Sequence, residues 1–135
     1  MLLDLCGPVS AGQGTVSAPL RHDAVCLPDD AGGEVDYPAY LIAEAFAQIA
    51  CRAAQKVVPL EGRRYLPASI RGLEIIDAPA EDCTGARLIA DLVRSRPLPE
   101  FTCSLVGPDE NVLVRTTVVV APAPLQPQQP AEGRP

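Results

Sequence analysis

The sequence predicts an α+β fold, an antiparallel β-sheet wrapped around one long central helix. Three observations lead there. The stretch Tyr37 to Lys56 has helical periodicity and is apolar on nearly every side. Several segments after it alternate with the period of strands. The connection Gly107-Pro-Asp-Glu-Asn111 is a turn, too short for the crossover that parallel strands need.

The elements follow in chain order. Met1 to Cys6 is a short apolar run that suits a strand, and Pro8 to Gly14 is a turn by composition. Gly14 to Leu20 reads as a strand with Val16, Ala18 and Leu20 on one face, and Pro19 places it at an edge or a strand end. Ala24 to Leu27 is another short apolar run, and Pro28 to Gly33 is a loop. In the helix, Ile42, Phe46, Ile49, Ala53 and Val57 recur at spacings of three and four, and Pro38 suits the first turn. Tyr40, Leu41, Ala43, Ala45, Ala47, Ala50, Cys51 and Ala54 fill the other faces, so the helix is expected to be buried all round. Pro59 to Arg64 is a polar connector. Strands are expected in Leu66–Ile76, in Ala86–Val93 with Leu88, Ala90 and Leu92 inward, at Phe101, Cys103 and Leu105, and over Asn111–Val120. Consecutive strands after the helix are expected to pair as hairpins. Residues 1–122 form the domain, and residues 123–135, rich in Pro and Gln, form a disordered tail.

Composition narrows the function. One domain is expected of 135 residues, with an aliphatic and alanine-rich core because aromatics make up only 4%. A net charge of −6 argues against nucleic acid and anionic membrane, which require basic surfaces. No apolar run reaches the length of a membrane span, and no secretory leader precedes Met1-Leu2-Leu3, so a cytoplasmic location is expected. The five cysteines, Cys6, Cys26, Cys51, Cys83 and Cys103, are widely spaced, and a single histidine accompanies them. They read as reduced thiols, not as a zinc site or a disulfide framework. Neither a metal nor another cofactor follows from the sequence.

One residue resists a purely structural account. Glu44 is the only carboxylate in the apolar helix, and Gln48 lies one turn later on the same side. A carboxylate among apolar neighbours is either partnered or functional. Glu44 is therefore the first candidate for a catalytic group, with a structural buried carboxylate as the plain alternative.

The residues Glu44-Ala45-Phe46-Ala47-Gln48 match the E-A-x-A-Q helix motif of hot-dog-fold 3-hydroxyacyl-[acyl carrier protein] dehydratases. The order of strands around the helix resembles that family too, over roughly Met1 to Pro122. Within it, the chain looks most like the divergent branch found with aryl polyene and related pigment clusters. Met1-Leu2-Leu3-Asp4 would match the end of an H-x-x-P-M-L-L-L-type stretch, implying that residues upstream of it are lacking.

The resemblance implies an enzyme that removes water from a carrier-bound 3-hydroxyacyl thioester in fatty acid, polyketide or aryl polyene biosynthesis. In that family the helix glutamate works with a histidine from an H-F-P-G-x-P-x-x-P-G stretch just before the helix. The histidine moves the C2 proton, the carboxyl handles the leaving hydroxyl, and helix-start N–H groups hold the thioester carbonyl. Here the second Pro-Gly of the stretch falls on Pro38-Ala39, and the histidine position falls on Asp30. Asp30 and the single histidine, His22, are thus the candidate catalytic partners of Glu44. Both have ordinary readings as well, a turn aspartate and a solvated histidine between Arg21 and Asp23. Pro38, Ala39, Tyr40 and Gln48 are the candidate substrate-binding residues, and an apolar acyl pocket is expected between the helix and the inner sheet face.

The expected partners are an acyl carrier protein with a phosphopantetheine-linked chain and a second hot-dog subunit, in a homodimer or a heterodimer with a paralogue. Carrier proteins are acidic, and the only basic group of residues to meet one is Arg52, Lys56, Arg63, Arg64 and Arg71. The missing motif histidine leaves two other readings open: an inert hot-dog subunit that pairs with an active one, and a thioesterase, in which a helix glutamate activates water without histidine.

Overall fold

The computed structural model describes residues 6–20, 39–76 and 85–124. Six strands and one helix follow in the order β1 (Ser10–Ala11), β2 (Thr15–Pro19), α1 (Ala39–Val57), β3 (Tyr65–Ile75), β4 (Arg87–Arg94), β5 (Glu100–Val106) and β6 (Val112–Pro122). All strands join one sheet in the order β1-β2-β4-β5-β6-β3, and every pairing is antiparallel. The sequence Pro8–Gly14 is more than a turn. It contains β1, which folds back on β2 with Ser10 opposite Ser17.

Alternation decides which side of each strand is inside. Val16 and Ala18 of β2, Leu88 and Ala90 of β4, Phe101, Cys103 and Leu105 of β5, and Val114, Val118 and Val120 of β6 are all buried on one face. Against that face lies α1, which touches every strand from β2 to β6. Its inward residues are Ile42, Ala45, Phe46, Ile49, Ala50, Ala53 and Ala54. The alanines bring the helix axis close to the sheet, while Phe46 and Phe101 supply the bulk of an aliphatic core.

The hairpin from β5 to β6 turns where expected. Gly107 N–H donates to Asn111 O at 2.9 Å, Glu110 N–H donates to Gly107 O at 2.9 Å, and Glu110 takes a φ of 67°. The strand after the helix departs from expectation. β3 pairs with β6 and forms the far edge of the sheet, because both sides of β4 are occupied by β2 and β5.

A second departure concerns the helix itself. It is not buried all round. Glu44, Gln48, Cys51 and Arg52 are only half-buried, and Gln55 and Lys56 are exposed. One sheet can cover only one face of a helix, so the stripe opposite Phe46 and Ile49 faces away from it. Among the described residues, Phe46, Ile49, Leu88 and Phe101 fill the space between the inward face of α1 and the middle of the sheet with no exposure. No helix among the described residues is long and apolar enough to cross a membrane.

Candidate active site

The outward stripe of α1 runs Glu44, Gln48, Cys51, Gln55, at spacings of four, three and four. Where this stripe meets the start of the edge strand, an open groove of about 480 Å³ forms. Glu44, Gln48, Cys51 and Arg52 make its helix wall, and Tyr65, Leu66 and Pro67 make its strand wall. Gln48 Nε2 donates to Glu44 Oε2 at 3.5 Å, a long contact that leaves the carboxylate free to accept elsewhere.

The walls are fixed by bonds outside the groove. Tyr65 Oη donates to Val58 O just past the helix end, tying β3 to α1. Arg52 Nη1 donates to Cys6 O at 3.0 Å and to Cys6 Sγ at 2.9 Å, which anchors the segment before β1 on the helix. The Cys51 thiol is pushed up to about 11, first by burial and then by the charge of Glu44. It therefore stays protonated at neutral pH and serves as wall, not nucleophile. Cys103, in the core, is pushed up to about 12 by burial and by the charges of Asp91 and Cys51. Cys6, Cys51 and Cys103 are all reduced, two of them buried and Cys51 half-buried.

Of the residues singled out from sequence, Glu44 and Gln48 come together in the groove. Ala39 and Tyr40 begin α1. Asp30, His22 and Pro38 lie outside the described residues, as do residues 125–135 of the tail. Of the basic group near the helix exit, Arg52 and Arg64 both line the groove. Arg52 and Arg63 turn to backbone carbonyls, Arg63 Nη2 reaching Ala123 O at 2.6 Å, and Arg71 faces Glu100 at 3.8 Å. The strand wall was not foreseen. Its signal is nonlocal, because only the edge position of β3 brings Tyr65 to Pro67 beside the glutamate. Cys51 could have been found from its spacing of seven from Glu44, two turns along one face.

Neither a protein-family model nor a curated protein matches the chain. Solved structures do. Thioesterase HI1161 from Haemophilus influenzae superposes with a TM-score of 0.67 at 13% identity, over 89% of this chain and 80% of that one. A thioesterase described as putative, yhdA from Lactococcus lactis, gives 0.63 at 14% identity, over 88% and 91%. BH2602 from Bacillus halodurans, solved with coenzyme A, gives 0.60 at 8% identity, over 85% and 71%.

The chain has the hot-dog fold. At these identities the likeness is one of fold, and chemistry must be argued from the groove. In this hot-dog domain the groove sits on the helix side that the sheet leaves uncovered, bounded by a strand whose other edge has no paired strand among the described residues.

Proposed function

We propose that this chain hydrolyses an acyl thioester, with Glu44 as the general base. The observation that carries the reading is the seat of Glu44. It is the only carboxylate lining the groove among the described residues, half-buried, with a mainly apolar strand wall opposite. A carboxylate held at the edge of an apolar cleft can take a proton from water, whose oxygen then adds to the thioester carbonyl carbon. The carbon–sulfur bond breaks, the thiolate takes up a proton, and a carboxylic acid and a thiol leave. Gln48 steadies the carboxylate, and the N–H groups at the start of α1, which lack partners within the helix, suit the developing oxyanion. The thioesterases among the similar folds support this reading, as does the coenzyme A bound by another.

Dehydration is the second reading, and the E-A-x-A-Q spacing of Glu44 and Gln48 favours it. It requires a further group to take the C2 proton, and among the described residues no histidine or second carboxylate lines the groove. In either case the carrier of the thioester is coenzyme A or an acyl carrier protein, and a second hot-dog subunit covers the groove's open side.

Intact-mass measurement on a carrier protein loaded with a 3-hydroxyacyl chain separates the readings. Release of the acyl group, lost in Glu44→Gln by at least about a hundredfold, is expected. Loss of one water without release would replace hydrolysis with dehydration. No change with wild-type protein, on carrier protein or coenzyme A thioesters, would leave only the inert subunit.

A further inference from the structure

A second cavity, of about 580 Å³, opens at the C-terminal end of α1, lined by Gln55, Leu60, Arg63, Arg64 and Ala123. Arg64 lines both this cavity and the groove of Glu44, so the two are neighbours along one helix stripe. We propose that this cavity binds the phosphate of a phosphopantetheine arm whose thioester end lies at Glu44. The identity of the ligand rests on the thioester reading above, whereas the presence of an anion site does not.

Spacing supports the assignment. Glu44 and Gln55 are eleven residues apart in α1, which is about 16 Å along the axis at the helical rise of ~1.5 Å per residue. A pantetheine arm between sulfur and phosphorus advances by roughly the same distance when extended, at the ~1.3 Å per bond of ordinary covalent geometry. Charge supports it too. Arg63 Nε is buried with no hydrogen-bond partner among the described residues, although Nη2 of the same side chain is held by Ala123 O. Arg64 is exposed at the rim, and no ion pair is formed by its guanidinium among the described residues. Two guanidiniums at one cavity suit a phosphate, which accepts several charge-assisted bonds. The helix end opposes them with its partial negative charge, the weaker of the two influences at a solvated terminus.

Calorimetric titration of the full chain tests the site without needing turnover, with 4′-phosphopantetheine, pantetheine and coenzyme A as probes. The phosphorylated arm is expected to bind about tenfold tighter than pantetheine, and Arg63→Gln with Arg64→Gln to erase that difference. Circular dichroism would establish that the double variant is folded, and Arg64→Gln alone, at the exposed rim, gives a milder second test. Equal affinity for 4′-phosphopantetheine and pantetheine in the wild-type protein would overturn the proposal, and so would failure of 4′-phosphopantetheine to bind. A preference that survives in the double variant would overturn it as well. Coenzyme A binding no tighter than 4′-phosphopantetheine would assign recognition to the phosphate that carrier proteins share. Tighter binding of coenzyme A would add its nucleotide to a phosphate site that still stands. Phosphate-dependent binding without any thioester hydrolysis would retain this site and reject the catalytic reading.

Discussion

The edge strand offers the sharpest quantitative test. β3 exposes Leu66, Ile70 and Leu73 to 39% each and Ile75 to 61%, with Ile76 just beyond it at 47%. Together these amount to the surface of a little more than two whole side chains of this type. Fully burying one such side chain is worth roughly 1.5–3 kcal/mol, so covering the patch yields about 3–7 kcal/mol per chain. In a twofold pair each residue counts twice. The total of about 7–13 kcal/mol is then comparable with the ~4–15 kcal/mol cost of association. A dimer through β3 is expected on these numbers, but only with the whole patch intact. Ile75→Lys removes about 1–2 kcal/mol per chain, hence about 2–4 kcal/mol per pair. That raises the dissociation constant roughly 30- to 1,000-fold. Sedimentation equilibrium over a concentration series reads this directly. A wild-type chain that stays monomeric at high micromolar concentration, or a variant with unchanged association, would refute the reasoning.

Three further outcomes follow from the packing. Phe46→Ala, at a site with no exposure, should cost about 3–5 kcal/mol in urea denaturation. A loss below about 1 kcal/mol would contradict the packing of α1 on the sheet. Stability should hold up to pH 9 and fall above it, because the Cys51 and Cys103 thiols, near 9 when unfolded, are pushed up to about 11 and about 12 when folded. The unfolded chain then binds fewer protons than the folded one across this window, so unfolding gains with pH, by roughly 1 kcal/mol per pH unit and thiol. Replacing both cysteines with alanine should flatten that decline, and an unaltered slope in denaturation curves would rule it out. Glu44→Gln should lower the Cys51 thiol from about 11 towards 9 without reaching it, since burial, the larger cause, remains. The pH dependence of Cys51 alkylation, followed by peptide mass spectrometry, would show no shift if the carboxylate did not face the groove.

Much of the fold was legible in the sequence because alternation and helical period report local geometry. Val16 and Ala18, Leu88 and Ala90, and Phe101 and Cys103 all point inward as their spacing requires. The place of β3 was not legible. Which strand lies beside β6 is set by occupancy of the neighbouring edges, a property of the whole sheet. The same cause hid half of the candidate site, since Tyr65, Leu66 and Pro67 reach Glu44 only through that topology. The helix misled for a different reason. Alanine and cysteine suit a buried face and a half-covered one alike, so Ala43, Ala47 and Cys51 could not reveal that one stripe of α1 looks outward. Glu44 and Gln48 carried the true signal, being polar and one turn apart on that very stripe.

Assembly and chemistry meet at that stripe. The sheet uses the inward face of α1 completely, through Ile42, Phe46 and Ile49. A side chain of the helix can meet a ligand only on the opposite side, where Glu44 lines the groove. The groove there is open because nothing in the chain lies beyond the strand wall of Tyr65, Leu66 and Pro67 among the described residues. An open groove keeps the carboxylate in contact with bulk water, which weakens its hold on a developing charge. A second copy seated on β3 would close that side and strengthen every electrostatic contact within. Under the proposed hydrolysis, activity per chain should therefore fall on dilution, with a midpoint at the dissociation constant measured by sedimentation. Ile75→Lys should shift that midpoint upward by the same factor, although Ile75 does not line the groove. Activity per chain that stays constant through the dissociation midpoint would separate the two, and would mean that one chain by itself makes a complete site.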